Sequence, residues 1–221
     1  MNIGLAIFVK TPGLSPVKTR LAKSIGHEKA EAYYILATKT VAAIVESLVG
    51  ALPSVQPYWA VAENSAMDHG LWTQFPKIYQ GEGDLGERLS HVYDWILAHH
   101  KSCVVIGADS PQLTPEILDL GCRKSSEGFV MGPSFDGGFY LFGGNQEILP
   151  SVWTGISYST NTTGRDLTMA LAPANITTLE KLLDTDTFED VKDLYVDFRQ
   201  HKNRLPEQTA LLNWIETNLV F

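Results

Sequence analysis

The chain has 221 residues, 44% hydrophobic and 19% charged, with no repeat or low-complexity tract, so disorder is not expected away from the ends and residues 1–221 are expected to form one domain. Its 25 acidic against 17 basic residues give a formal net charge of −8, which argues against broad contact with nucleic acid or an anionic membrane surface. The two cysteines, Cys103 and Cys122, offer neither a metal-ligand spacing nor a disulfide framework and are expected to be buried, reduced thiols.

The first predicted element is a strand over residues 3–9, IGLAIFV, a continuous apolar run suited to burial on both faces of a parallel sheet. It is too short to span a membrane, and Lys10 and Pro12 follow it where a signal peptide would continue apolar, so a cytoplasmic protein is expected. The loop beyond it holds Lys10, Lys18 and Arg20 around Pro12, Gly13 and Pro16. Prolines stiffen a loop that simple solvation would leave free. A point charge and a guanidinium fork both suit phosphate oxygens, and a helix starting nearby would add free N–H donors.

Apolar positions from Ala30 to Leu48 recur at helical spacing, with Gly50 and Pro53 closing the helix. The pattern repeats as strand 57–62, helix 86–98 and strand 103–109, the alternation of βαβ units. Between the first two of these lies QGEGDLGERL, residues 80–89, a polar glycine-rich loop. Gln80, Asp84 and Gly86 in it could meet a nucleobase edge, or the stretch could be a plain exposed loop leading into a helix.

Asp109 ends an apolar strand and is followed by Ser110 and Pro111. Its carboxylate could bind a hard cation such as Mg²⁺ or serve ordinary turn chemistry. Thr114 before Pro115 marks the start of a helix reaching about Lys124. Residues 128–133 then form a strand and run into SFDGGF, where Asp136 could accept a hydrogen bond from a substrate hydroxyl and Gly137 and Gly138 allow close backbone approach; a tight turn explains the same letters.

A strand FYLFG, a helix over 163–172 and a short strand over 176–179 follow. Thr187 and Asp190 resemble a capping box for the helix FEDVKDLYVDF. Asp184 and Asp186 just before it read either as helix-start carboxylates or as partners of Asp109 on one metal. A last amphipathic segment, 206–219, is expected to dock on the outside. Leu219, Val220 and Phe221 at the end are expected to pack on their own domain, with a homodimer contact as the alternative to a monomer.

The expected architecture is a three-layer α/β/α sandwich with a mixed, mostly parallel sheet. Ligands of open α/β sheets bind at the carboxyl ends of strands, so Lys10, Asp109 and Asp136 should converge along one edge.

The ordered set VKTPGLSPVKTRLA, QGEGDLGERL, VVIGADSPQLTPEIL, GPSFDGGFYLFG and LLDTDTFEDV resembles the GT-A-fold, glycosyltransferase-like proteins described as radical-SAM/selenodomain-associated transferases, within the nucleotide-diphospho-sugar transferase superfamily. The opening loop is also similar to that of phospholactate guanylyltransferases and, more distantly, of molybdenum-cofactor guanylyltransferases. The resemblance implies a nucleotide or nucleotide-sugar donor, a small acceptor and Mg²⁺ or Mn²⁺. It places Lys18 and Arg20 on donor phosphates with Lys10 beside them, and Asp109 and then Asp186 on the metal; Thr11 is expected with the phosphate ligands, and Asp136 with Gly137 and Gly138 at the acceptor. The Gly-x-Gly-x-Arg loop of nucleotidyltransferases is replaced here by Pro-Gly-Leu-Ser-Pro, and the Asp-x-Asp of many glycosyltransferases by Asp109-Ser110-Pro111. Nucleotidyl and glycosyl transfer are therefore nearly level expectations, and a non-catalytic nucleotide-binding protein is the reading from another class.

Overall fold

The computed structural model describes residues 2–200 and 203–219. Strand β1 (Ile3–Val9) pairs in parallel with β2 (Val55–Val61) on one side and β4 (Ser102–Gly107) on the other. Beyond β2 lies the short parallel β3 (Lys77–Tyr79). Beyond β4 come β6 (Phe139–Gly144), antiparallel to both neighbours, then β5 (Phe129–Pro133) and β7 (Ile176–Thr178). The seven-stranded order is β3-β2-β1-β4-β6-β5-β7. The chain thus adopts the three-layer α/β/α architecture with a mixed, mostly parallel sheet.

Alternating side chains of the central strands enter opposite layers, as the period of two requires. Ile3, Leu5, Ile7 and Val9 join Val104 and Ile106 in one cluster, packed by α2 (His27–Ala51) and α4 (Pro115–Ser125). Ala6, Cys103 and Val105 face the other layer under α3 (Leu85–His99), α5 (Pro150–Thr154) and α6 (Thr163–Ala170). Both cysteines are buried and free. A third cluster joins α1 (Thr19–Ile25) and α2 to α7 (Phe188–Gln200) and α8 (Pro206–Asn218), so the last helix does dock on the outer face of α2. Leu219 is buried in that cluster, whereas Val220 and Phe221 lie outside the described residues.

Helix α2 is longer than the periodicity suggested, and its length and hydropathy would also allow a membrane crossing. Half of that stretch is buried inside the fold. Its apolar residues serve two clusters, Val41, Ile44 and Val45 toward the sheet and Ala30, Tyr33 and Ala37 toward α8, which is the pattern of a core helix.

Most local start signals operate as read. Thr114 Oγ1 accepts the Ile117 N–H at 3.3 Å with Pro115 opening α4. Asp190 Oδ2 accepts the Thr187 N–H at 2.7 Å while the Asp190 N–H donates to Thr187 Oγ1 at 3.2 Å, closing the capping box of α7. Strand β4 stops at Gly107, two residues before Asp109, so that carboxylate sits in the turn beyond the strand.

Candidate functional site

The strand order reverses between β1 and β4, and both end at the same edge. At such a switch point the two following loops diverge and leave a crevice. Here a cleft of about 780 Å³ opens there, within the size range of small-molecule sites. Lys10 and Lys18 line it from the loop after β1 and Arg20 from the start of α1, Asp109 from the turn after β4, Ser134, Asp136 and Gly138 from the β5–β6 turn, and Asp184 and Asp186 from the segment before α7. The expected convergence of strand ends is therefore what the structure displays. A smaller recess of about 430 Å³, between the start of α5 and the end of α6, contains none of these residues.

Three carboxylates meet at the centre. Asp109, Asp184 and Asp186 each bring one oxygen to within 4.8 Å of the others. Two chain segments far apart in sequence are held in register by hydrogen bonds to main-chain carbonyls. The Asp109 carbonyl accepts from Thr185 N–H at 3.0 Å and Thr185 Oγ1 at 2.8 Å, and the Leu183 carbonyl accepts from Ser110 Oγ at 2.8 Å and Gln112 Nε2 at 2.7 Å. Thr185 is wholly buried. These four bonds alternate with the aspartates, so the side chains between them have little freedom. Because Asp190 performs the capping of α7, Asp186 is released from that task and turns into the cleft.

Lys18 is the unexpected member. Its side chain is 2% exposed, and Nζ lies 2.7 Å from Asp109 Oδ1 and 2.9 Å from Asp186 Oδ1. Burial alone would lower its pKa, but the charges of Asp109, Asp186 and Asp184 outweigh that and hold the ammonium far above the usual lysine range. It caps α1 in a left-handed conformation, φ 46°, strained for a residue bearing a Cβ. The sequence placed Lys18 on donor phosphates; the structure seats it among the carboxylates.

Asp109 Oδ1 is buried with the Lys18 ammonium 2.7 Å away, and Asp184 Oδ1 is buried without a hydrogen-bond partner among the described residues. Burial first, then the charge of Asp109, holds its carboxyl well above the ordinary range, whereas Asp186, although burial works against it, is held low by Lys18 and Arg20. Lys18 thus answers only part of the negative charge. A buried carboxylate oxygen lacking a donor, inside a set of three oxygen ligands, fits a hard divalent cation that takes one or more carboxylates and completes its shell elsewhere. Asp184 belongs to that set beside the expected Asp109 and Asp186.

The remaining cations are freer. Arg20 is 62% exposed and only loosely paired, Nη1 standing 3.8 Å from Asp186 Oδ2. Lys10 is exposed, and its backbone is fixed by Tyr34, whose hydroxyl accepts from the Lys10 N–H at 2.9 Å and donates to the Lys10 carbonyl at 3.0 Å.

Several expected residues have other tasks. Thr11 is buried away from the cleft: its Oγ1 accepts the Trp72 indole N–H at 2.9 Å and its N–H donates to Glu63 Oε2 at 3.0 Å. Asp84 caps α3 in a reciprocal box with Glu87, Asp84 Oδ1 accepting from Glu87 N–H at 3.0 Å and Glu87 Oε2 from Asp84 N–H at 2.8 Å. Gly86 packs so closely on α5 that a Cβ there would lie 2.6 Å from the Trp153 carbonyl. Gly137 has φ 93° and no room for a Cβ beside the Asn161 backbone; its neighbour Gly138 lines the cleft, as does Asp136. Gln80 lines the cleft with its side chain turned inward, Nε2 donating to the Val9 and Ala60 carbonyls at 3.2 and 2.8 Å.

Other lining residues were not singled out from sequence. Arg88 donates through Nε to the Gly83 carbonyl at 3.0 Å and through Nη1 to the Ala62 carbonyl at 3.1 Å. Tyr158, Ser159, Thr160 and Thr163 give the cleft a hydroxyl-rich wall. The signal was the run SYSTNTT just ahead of α6, which reads as ordinary loop composition.

A family model described as "Uncharacterized protein conserved in bacteria (DUF2064)" matches residues 51–160. No curated protein sequence matches the chain. Among solved structures, a candidate nucleotide-diphospho-sugar transferase from Desulfovibrio desulfuricans G20 superposes with a TM-score of 0.82 at 24% identity, over 98% of this chain and 96% of that one. The 4-diphosphocytidyl-2C-methyl-D-erythritol synthase of Anaerococcus prevotii DSM 20548 gives 0.55 at 8% identity, over 87% and 93%. CMP:2-keto-3-deoxy-manno-octonic acid synthetase complexed with CTP gives 0.52 at 11% identity, over 90% and 99%. At these identities the likeness shows the fold: the chain has the architecture of nucleotide-diphospho-sugar transferases and cytidylyltransferases.

Proposed function

We propose that the chain is a transferase that uses a nucleotide donor with Mg²⁺ or Mn²⁺, and that the donor is a nucleoside diphosphate sugar before it is a nucleoside triphosphate. The observation that carries this is the Asp109, Asp184 and Asp186 triad with Lys18 inside it, at the switch point of a nucleotide-transferase fold.

The preference between donors comes from charge. Four carboxylates, Asp109, Asp136, Asp184 and Asp186, face four cations, Lys10, Lys18, Arg20 and Arg88, in the same cleft. Adding a divalent ion leaves an excess that a sugar-linked diphosphate matches, whereas a triphosphate carries roughly two further negative charges. Counted as a phosphate ligand, Lys18 made the basic loop suit a triphosphate slightly better, with the two chemistries nearly level; with Lys18 committed to carboxylates, that count falls.

Asp109, Asp184 and Asp186 would hold the metal, and its contribution when bound would be to neutralise charge on the departing nucleoside diphosphate. Arg20 and Lys10 orient the diphosphate by direct contact, Arg20 with the geometry for two oxygens at once. Asp136 accepts the proton of the acceptor hydroxyl as its oxygen attacks the anomeric carbon and the bond from that carbon to the diphosphate oxygen breaks. No protein nucleophile is required.

The test is a donor screen in which nucleoside-diphosphate release and pyrophosphate release are followed separately with Mn²⁺ present. Diphosphate release from a sugar nucleotide is the expected result. Pyrophosphate release from a triphosphate would replace this reading by nucleotidyl transfer, and tight binding with neither product would leave a non-catalytic binding protein.

A further inference from the structure

We infer that the acceptor is an uncharged, hydroxyl-bearing molecule and not a phosphorylated or carboxylated one. The inference rests on the donor reading above and adds the substrate class at the other end of the same cleft.

The cations of the cleft are unevenly placed. Among the described lining residues they are Lys10, Lys18, Arg20 and Arg88. Lys18 is spent on Asp109 and Asp186. Arg88 is tied to the carbonyls of Gly83 and Ala62 and to Gln80 Oε1, on the β2 and β3 side of the sheet. Lys10 and Arg20 lie on the loop and helix after β1. The wall from the β5–β6 turn and the segment before α6 contributes Ser134, Asp136, Tyr158, Ser159, Thr160 and Thr163, with no cation among them. Lys181, with Nζ 5.1 Å from the Phe135 ring centroid, is near this turn but not among the residues that line the cleft.

The one formal charge on that wall is negative. Asp136 is held by its own turn: Oδ1 accepts from Ser134 Oγ and from the Gly138 N–H at 3.0 Å. Its second oxygen, Oδ2, has no hydrogen bond among the described residues. The Ser159 hydroxyl is likewise uncommitted, on a residue held at φ 59° in the left-handed region. The hydroxyls of Thr160 and Thr163 are knit to each other and to the Ser157 carbonyl, so the wall is firm. Asp136 also adds its charge to that felt by Asp184.

An acceptor presenting a phosphate or carboxylate here would meet the like charge of Asp136 and no cation contributed by this wall, and it would give up hydration for hydroxyls. A neutral polyol or sugar meets what it needs: a carboxylate oxygen to accept from the attacking hydroxyl, and a neutral hydroxyl able to donate or accept. The wall selects by what it lacks as much as by what it offers.

The test uses matched acceptors: glycerol against its monophosphate, and glucose against both its phosphate ester and gluconate. Each is added to the protein with Mn²⁺ and UDP-, ADP-, GDP- or CDP-glucose, reading nucleoside-diphosphate release and product mass, while donor binding is measured separately by calorimetry. The neutral member of each set should raise release by about tenfold or more over its charged partners. Asp136→Lys should abolish the neutral response and draw the phosphorylated member ahead in binding competition. Donor binding with equal or greater response to the charged members, or with no response to any neutral one, overturns the acceptor assignment and leaves the donor reading standing. Absence of donor binding across the panel overturns both.

Discussion

Lys18 shows how one side chain can reverse a reading based on composition. A basic loop in an acidic protein suggested three phosphate ligands, yet the ammonium is buried between Asp109 and Asp186. Burial in company of this kind stabilises only as a set, because removing one partner leaves charge uncompensated in a low dielectric. Lys18→Met should therefore lower the stability of the metal-free protein by about 3 kcal/mol, a fall in Tm of about 6–12 °C for a chain of this size. Mn²⁺ should then raise the Tm of the variant more than that of the wild type, since a bound cation would take over the neutralisation that Lys18 supplies. Thermal melts with and without the metal check both parts. Equal Mn²⁺ shifts in the two proteins would mean that the ammonium and the metal do not share the carboxylates.

At the scale of elements, the site depends on short segments between regular ones. The β5–β6 turn is fitted against the loop before α6 at Gly137, whose carbonyl accepts the Gly164 N–H at 2.9 Å and whose missing Cβ leaves room for the Asn161 carbonyl, which would otherwise be 2.1 Å away. Gly137→Ala adds that clash to an unfavourable positive φ and should cost about 2–4 kcal/mol. Its kinetic mark should be a raised KM for the acceptor with donor affinity unchanged, measured by initial rates and calorimetry. A loss of donor affinity instead would place the turn on the donor side. The long elements were legible from pattern and caps: IGLAIFV suited a doubly covered strand, and Thr114-Pro115 and Thr187 with Asp190 announced α4 and α7. The seven-residue α1, the three-residue β3 and the five-residue α5 were not, because elements that short bury too little for a periodicity to show. The same holds in the site. Asp109 and Asp136 were legible as polar ends of apolar strands, whereas Asp84, Thr11 and Gly86 have the same letters as ligands and are used for a cap, an indole hydrogen bond and close helix packing. Only the three-dimensional neighbours separate those uses.

For the molecule as a whole, the decisive feature is that a net charge of −8 coexists with a cleft where cations and carboxylates are in balance. On the proposed reading the acidic exterior adds nothing to the capture of an anionic donor, so binding would come from the local set at the β1 and β4 switch point together with a divalent cation. Mn²⁺ binding followed by electron paramagnetic resonance, on wild type and on Asp109→Ala with its fold verified by circular dichroism, tests this most directly. The account predicts one site in the wild type, tightened by a nucleoside diphosphate sugar and weakened by about tenfold or more in the variant. Indistinguishable Mn²⁺ affinities in the two proteins, with or without the sugar nucleotide, would contradict it.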